Sequence, residues 1–316
     1  MSSGLGDHSS DFSDYANWSL EDWQGTEDDW CEAGEQEAAI KVFQTCLFAA
    51  FFLSGVAGNL LAVATFAAKR QRSATDTLLF QLALADLLLL LTLPLQAADT
   101  NVGWIFSAPA CKAARAVYAV NTYGGLLLLA CIAADRYLAV VPARRHLRRR
   151  ARPAVTAAAV WLAAALLSLP EVLFSGVAGS GGAAYCGMLA DARVKKAAAG
   201  IAVGVFSLSF LVMATCYGGI ARVLWAVGGG AFGGWRRQRT LKLMAALVAL
   251  FLLFQLPHSA VLCVKMARPL CAPLLEYVTR SLVYARCCLN PVVYVLAGQR
   301  FRRDALRLLR LRAASP

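Results

Sequence analysis

The chain has 316 residues, of which 59% are apolar or aromatic and 16% are Asp, Glu, Lys or Arg. Ordinary globular domains run at about 45–50% apolar and about 25% charged, so a disordered protein, a coiled coil and a basic nucleic-acid module are excluded. The net charge of +12 is unevenly spread: residues 1–37 hold 11 of the 19 acidic residues and no Lys or Arg, which leaves all 31 basic residues to the rest of the chain.

Residues 1–41 form an acidic leading segment. Tyr15 stands among Asp11, Asp14, Glu21 and Asp22, the setting in which tyrosine sulfation is expected. Asn17-Trp18-Ser19 is a glycosylation sequon, useful only in the secretory lumen. A patch of one sign steers an oppositely charged partner, and Trp18, Trp23 and Trp30 add apolar contact area. The plainer reading is a solubilising tail. No basic run followed by an apolar core heads the chain, so the first long apolar segment is expected to direct membrane insertion.

Seven runs long enough to cross a hydrocarbon layer follow, at about 42–68, 77–98, 108–140, 154–174, 197–227, 240–266 and 274–297. Their Ala and Leu content fits helices rather than barrel strands. The expected fold is an all-α membrane protein: a seven-transmembrane helix bundle over residues 42–298 with a short amphipathic C-terminal helix within 299–316. The first, third and fifth connections and the tail hold 20 of the 31 basic residues, among them Lys69, Arg70, the run Arg148-Arg149-Arg150, Arg236 and Arg237. That bias places those loops and the C-terminus in the cytoplasm and the acidic segment outside. Within Arg300–Leu309, apolar residues recur at helical spacing on a basic background, which suits an anionic inner leaflet.

Cys46, Cys131, Cys216, Cys263, Cys287 and Cys288 lie inside apolar runs and read as small fillers. Cys31, Cys111, Cys186 and Cys271 fall at the ends of runs, where an oxidising compartment would permit two bridges. Ionisable or amide side chains in apolar runs are costly and are therefore site candidates. These are Asn59 in the first span, Asp86 in the second, Asp135-Arg136-Tyr137 closing the third, and Arg286 and Asn290-Pro291 with Tyr294 in the seventh.

The order of these residues along seven spans resembles the rhodopsin-like G-protein-coupled receptors over nearly the whole chain. Thr92-Leu93-Pro94, Trp104-Ile105-Phe106 before Cys111, Ala133-Ala134-Asp135-Arg136-Tyr137-Leu138 and Cys287-Cys288-Leu289-Asn290-Pro291 are similar to chemokine receptors. Ala74-Thr75-Asp76-Thr77 and Leu169-Pro170-Glu171 resemble the C-X-C branch; Leu253-Phe254-Gln255-Leu256-Pro257 and Ala285-Arg286-Cys287 resemble the C-C branch.

The resemblance implies bridges Cys111–Cys186 and Cys31–Cys271. It implies that Asp135 holds Arg136 at rest, a charge-assisted pair acting as a two-state latch that a heterotrimeric G protein meets on activation. Tyr217 and Tyr294 would steady the active form. A basic chemokine would meet the acidic segment, including Asp14 and Tyr15, and a pocket formed by Asp99, Tyr118, Glu171, His258, Tyr277 and Arg280. Asp99 and Glu171 would be its ionic partners. Arg280 is unusual for the family and either pairs with one of those carboxylates or selects an acidic feature of the ligand. His258 reads equally well as a packing residue.

Three further departures stand out: Gln255 replaces the family's usual tryptophan near Pro257, Ser209 its usual proline in the fifth span, and Arg286 places a full charge near mid-membrane. Many relatives hold a sodium ion at the position of Asp86 with help from Asn121. Arg286 is expected to replace that ion, with Asp86 and the Gln255 amide oxygen as its acceptors. Ser315 is the one Ser or Thr after the seventh span, so phosphorylation-driven docking of arrestin, a further partner, is expected to be weak. No nucleophile–base pair, zinc spacing or phosphate-cradling loop is apparent, and neither an enzyme nor a cofactor or metal is expected. The two readings are a chemokine receptor coupled to an inhibitory-type G protein, driving chemotaxis and calcium signalling, and an atypical scavenger that binds chemokine without G-protein output.

Overall fold

Proline and the hydrogen bonds it withholds set how these apolar runs become rods. The computed structural model describes residues 37–141, 152–179, 184–226, 234–267 and 273–313. The first rod is α1 (Glu37–Ala67). The second is broken into α2 (Ala74–Leu90) and α3 (Leu93–Val102). Pro94 has no N–H to offer the preceding turn and its ring crowds the carbonyl four residues back, so the regular helix is interrupted at residues 91–92 and resumes as α3. Thr92 repairs part of the loss: its hydroxyl donates to the Leu89 carbonyl at 2.7 Å.

The third rod, α4 (Ala108–Val140), starts on Ser107, whose hydroxyl accepts from the Ala110 N–H. The fourth is α5 (Pro153–Leu167) followed by α6 (Leu169–Phe174). Its break repeats the device, with Pro170 behind it and the Ser168 hydroxyl donating to Ala164 O at 2.6 Å. The chain then makes an antiparallel hairpin, β1 (Ser175–Ala178) and β2 (Tyr185–Met188), with Val177 opposite Cys186.

Three long helices follow: α7 (Ala192–Ala226), α8 (Gly234–Ala267) and α9 (Pro273–Ala297). Pro257 and Pro291 lie inside the last two. Last comes α10 (Gln299–Ala313), which leaves α9 at 92°. The turn needs glycine: a Cβ on Gly298 would stand 2.4 Å from the Tyr294 carbonyl oxygen. Phe301 then reaches back onto Phe66 and Tyr294, with ring centroids 5.3 and 5.7 Å away.

Among the described residues, five helices are long and apolar enough to cross a bilayer alone. The other two rods explain their own departure. The fourth is split at Ser168, and α9 carries Glu276, Arg280 and Arg286. Packing is inside-out relative to a water-soluble bundle. Leu53, Leu162, Leu208, Leu253 and Leu296 are 63–77% exposed around the outside, while Asp86, Asn121 and Arg286 are at most 1% exposed inside. An apolar girdle over a polar centre suits lipid as the solvent, and the chain is a multi-pass membrane protein. At the centre, α4 packs against α2, α5, α7 and α8, and α9 against α1, α2 and α8.

Candidate functional site

Three polar assemblies lie along the bundle axis. At the hairpin end, Cys111 at the start of α4 is disulfide-bonded to Cys186 of β2, as the resemblance implied. Trp104 is buried beside this bridge, and its backbone N–H donates to Ala184 O at 2.7 Å. The hairpin is thereby fastened beside a cleft of about 1010 Å³, its open part included.

Four of the expected pocket residues line that cleft: Tyr118, Glu171, His258 and Arg280. Asp99 and Tyr277 are half-buried but are not part of the lining. The main difference from expectation is Arg115, one turn along α4 from Cys111. Its Nε and Nη2 donate to the same Glu171 oxygen at 3.1 and 2.6 Å, so Glu171 is already ion-paired and is not Arg280's partner. Arg115 sits where long cationic side chains often reach for the membrane edge, so its sequence position alone carries no signal. The Tyr118 hydroxyl lies 3.5 Å from His258 Nε2.

The second assembly is the buried charge cluster. Asp86 accepts from Asn121 Nδ2 at 3.1 Å and Asn290 Nδ2 at 2.6 Å, one bond on each carboxylate oxygen. Arg286 Nη2 donates to Asn121 Oδ1 at 2.9 Å, and its Nη1 lies 3.7 Å from Asp86. The guanidinium rests over the Phe251 ring, 5.6 Å from its centroid. Gly125 makes the room, since a Cβ there would already touch Nη1 at 3.4 Å.

Gln255 does not take the part expected of it. It is buried, yet its Oε1 has no hydrogen-bond partner among the described residues, and Asn121 serves as the amide acceptor instead. Asn121 faces Asp86 and bridges the two charges through its two amide atoms.

The residues around Asp86 do not fit a sodium ion. Both oxygens are engaged and a cation already stands beside them. A second unit charge about 4 Å from the guanidinium would be repelled by about 4 kcal/mol at an effective dielectric of about 20. Nearby, Asn59 Nδ2 donates to Gly55 O at 2.9 Å and to Cys287 O at 3.0 Å, joining α1 to α9.

The third assembly closes α4. Arg136 pairs with Asp135 through Nη2, and its Nε donates to the same oxygen at 3.2 Å. Thr75 at the start of α2 donates to that oxygen too, at 2.8 Å, and thus steadies the pair from a second helix. Tyr137 is half-buried with its ring against Gly219 of α7. Among the described residues the hydroxyls of Tyr217 and Tyr294 have no hydrogen-bond partner. Pro291 packs against Gly58, and Ser209 is buried on α7. Lys69 holds Asp76 at 2.9 Å and Asp304 of α10 at 3.5 Å. Asp14, Tyr15, Asn17, Cys31 and Cys271 lie outside the described residues.

The comparisons with known proteins agree with this geometry. The family model described as 7 transmembrane receptor (rhodopsin family) matches residues 58–294. The chain is 37% identical over 302 residues to C-C chemokine receptor type 10 of Homo sapiens, covering 89% of this chain and 82% of that one. It is 37% identical over 299 residues to C-X-C chemokine receptor type 3 of Homo sapiens, covering 87% and 78%. Against C-C chemokine receptor type 9 of Homo sapiens the identity is 32% over 322 residues, covering 95% and 84%.

Proposed function

The chain belongs to the rhodopsin family of seven-transmembrane receptors, and within it to the chemokine receptors; from that premise we propose that it binds a chemokine on one side of the plasma membrane and activates an inhibitory-type heterotrimeric G protein on the other. It is a receptor and not an enzyme. The acidic leading segment lies outside, where it gathers a basic chemokine, and the cleft beneath the hairpin receives the ligand's inserted segment. The basic loops and α10 lie in the cytoplasm, with α10 against an anionic leaflet.

The observation that carries the signalling half is the Asp135–Arg136 pair with Thr75 as its third member. The Arg136 guanidinium is masked by a neighbour on its own helix and steadied by a neighbouring helix. A relative movement of α2 and α4 breaks the Thr75 bond, releases Asp135 from its second helix and so loosens its hold on the guanidinium, which is what a two-state latch requires. Arg286 supplies a resident positive charge to Asp86, where relatives use sodium. Arrestin is a further partner, recruited weakly through phosphorylation.

One observation favours the scavenger reading. Gln255 leaves an unpaired amide oxygen in the core between the cleft and the charge cluster, where relatives carry a large aromatic. Purified chemokines screened for binding to cells displaying the receptor identify the ligand. Ligand-stimulated nucleotide exchange on a reconstituted inhibitory-type G protein then decides. Exchange above basal supports signalling, and saturable binding with uptake but no exchange supports scavenging.

A further inference from the structure

The charge of the cleft is opposite to what its named carboxylates suggest. Arg115, Lys195 and Arg280 line it against one carboxylate, Glu171, and Glu171 is held by Arg115. Glu276 precedes Arg280 by one turn of α9, but it is bound to Lys265 at 2.5 Å. Asp99 acts on Arg280 from a distance, outside the lining and beyond ion-pair reach. Even with Asp99 counted, cations outnumber carboxylates. Among the described residues Arg280 makes neither an ion pair nor a hydrogen bond.

The wall beside Arg280 carries further unused polar atoms. Tyr284 is fully buried on α9, one turn below Arg280, and its hydroxyl has no hydrogen-bond partner among the described residues. Among the described residues His258 Nδ1 is likewise unpaired, and the Tyr118 hydroxyl has only the long contact with His258. A guanidinium offers donors in a fixed fork and no acceptor, and a phenol can donate beside it. Unpaired donors at a buried wall carry a desolvation cost until a ligand satisfies them. The group that matches a cation flanked by hydroxyl donors is acceptor-only and anionic.

We propose that this cleft selects a carboxylate, which seats on Arg280 with the Tyr284 and Tyr118 hydroxyls around it. The inference rests on the reading of this cleft as the ligand site and adds the sign of the inserted group: acidic, where Asp99 and Glu171 alone would call for a basic one. The carboxylate comes either from an acidic residue in the inserted segment of a protein ligand or from a free small acid.

The test uses the purified full-length receptor in detergent and follows its thermal unfolding. One arm compares glutarate with glutaramide. The other compares a short peptide bearing one aspartate near its N-terminus with its asparagine counterpart. At least one acid raises the unfolding midpoint while its amide twin does not. The increment disappears in Arg280→Gln and returns in Arg280→Lys. Glu171→Gln releases Arg115 and strengthens carboxylate binding by about threefold to fivefold.

A response confined to the peptide assigns the acid to an inserted segment, and a response confined to glutarate assigns it to a small acid. Equal stabilisation by acid and amide overturns the proposal, as does an undiminished response in Arg280→Gln. Should Arg280→Gln fail to fold, an unchanged or weakened response in Glu171→Gln overturns it instead. No chemokine or G protein enters the assay, so its failure is separate from failure of the receptor reading.

Discussion

Two arginines six residues apart on α9 have opposite situations. Arg286 is 1% exposed, bonded to Asn121 and facing Asp86, with an aromatic ring beneath and a glycine clearing its space. Arg280 is half-buried at a cleft and has no bonded partner among the described residues. A guanidinium given acceptors, here the Asn121 oxygen and the facing Asp86 carboxylate, belongs to the fold, although its Nε and Nη1 make no hydrogen bond among the described residues. One left without them on a cavity wall belongs to whatever enters. The lesson is that a charge in an apolar helix is assigned a role by the acceptors around it, not by its depth alone.

The largest effect expected follows from breaking the inner pair. Asp86→Asn leaves the Arg286 cation buried with only amides beside it and costs about 3–5 kcal/mol. The purified receptor will show this as a large fall in thermal midpoint and surface display. Adding Arg286→Met removes the stranded charge, and most of the loss is regained. If the double variant is no better than Asp86→Asn, Arg286 is not the charge that Asp86 serves.

A third arginine, Arg136, lies between these extremes, paired but within reach of the bundle end. Thr75→Ala removes one hydrogen bond to the charged pair, worth about 1.5 kcal/mol. Basal nucleotide exchange on the reconstituted G protein should rise roughly tenfold. An unchanged basal rate would mean that Thr75 does not restrain the latch.

Smaller still is the effect of Arg280→Gln on stability without ligand, expected within about 0.5 kcal/mol by thermal unfolding because no partner is lost. A loss comparable to that of Asp86→Asn would erase the distinction between the two arginines. Exchange of sodium for potassium at constant ionic strength should leave agonist affinity unchanged, since Arg286 already occupies the neighbourhood of Asp86. A sodium-specific loss of agonist binding that vanishes in Asp86→Asn would contradict the resident-cation reading.

The rods and the charge cluster were legible in the sequence because length, hydropathy and a forbidden charge are local signals. Asp86 and Arg286 announced themselves by cost, and Asn121 entered through the family resemblance. What the sequence hid were residues whose meaning depends on a neighbour from another helix. Arg115 reads as an ordinary membrane-edge cation until Glu171 stands beside it. Thr75 reads as part of the first turn of α2 until Asp135 is found 60 positions away. Phe251 is one more aromatic in a Phe- and Leu-rich run, and only the fold places it under Arg286. Gln255 shows the converse: its chemistry permitted a bond to Arg286, yet Asn121 was better placed.

The glycine turn after α9 has a mechanical corollary. Phe301 is clamped between Phe66 and Tyr294, and Lys69 ties Asp304 to the same corner. A swing of Tyr294 would therefore disturb the ring contact that helps hold α10 at its right angle, passing the movement on as a change of tilt.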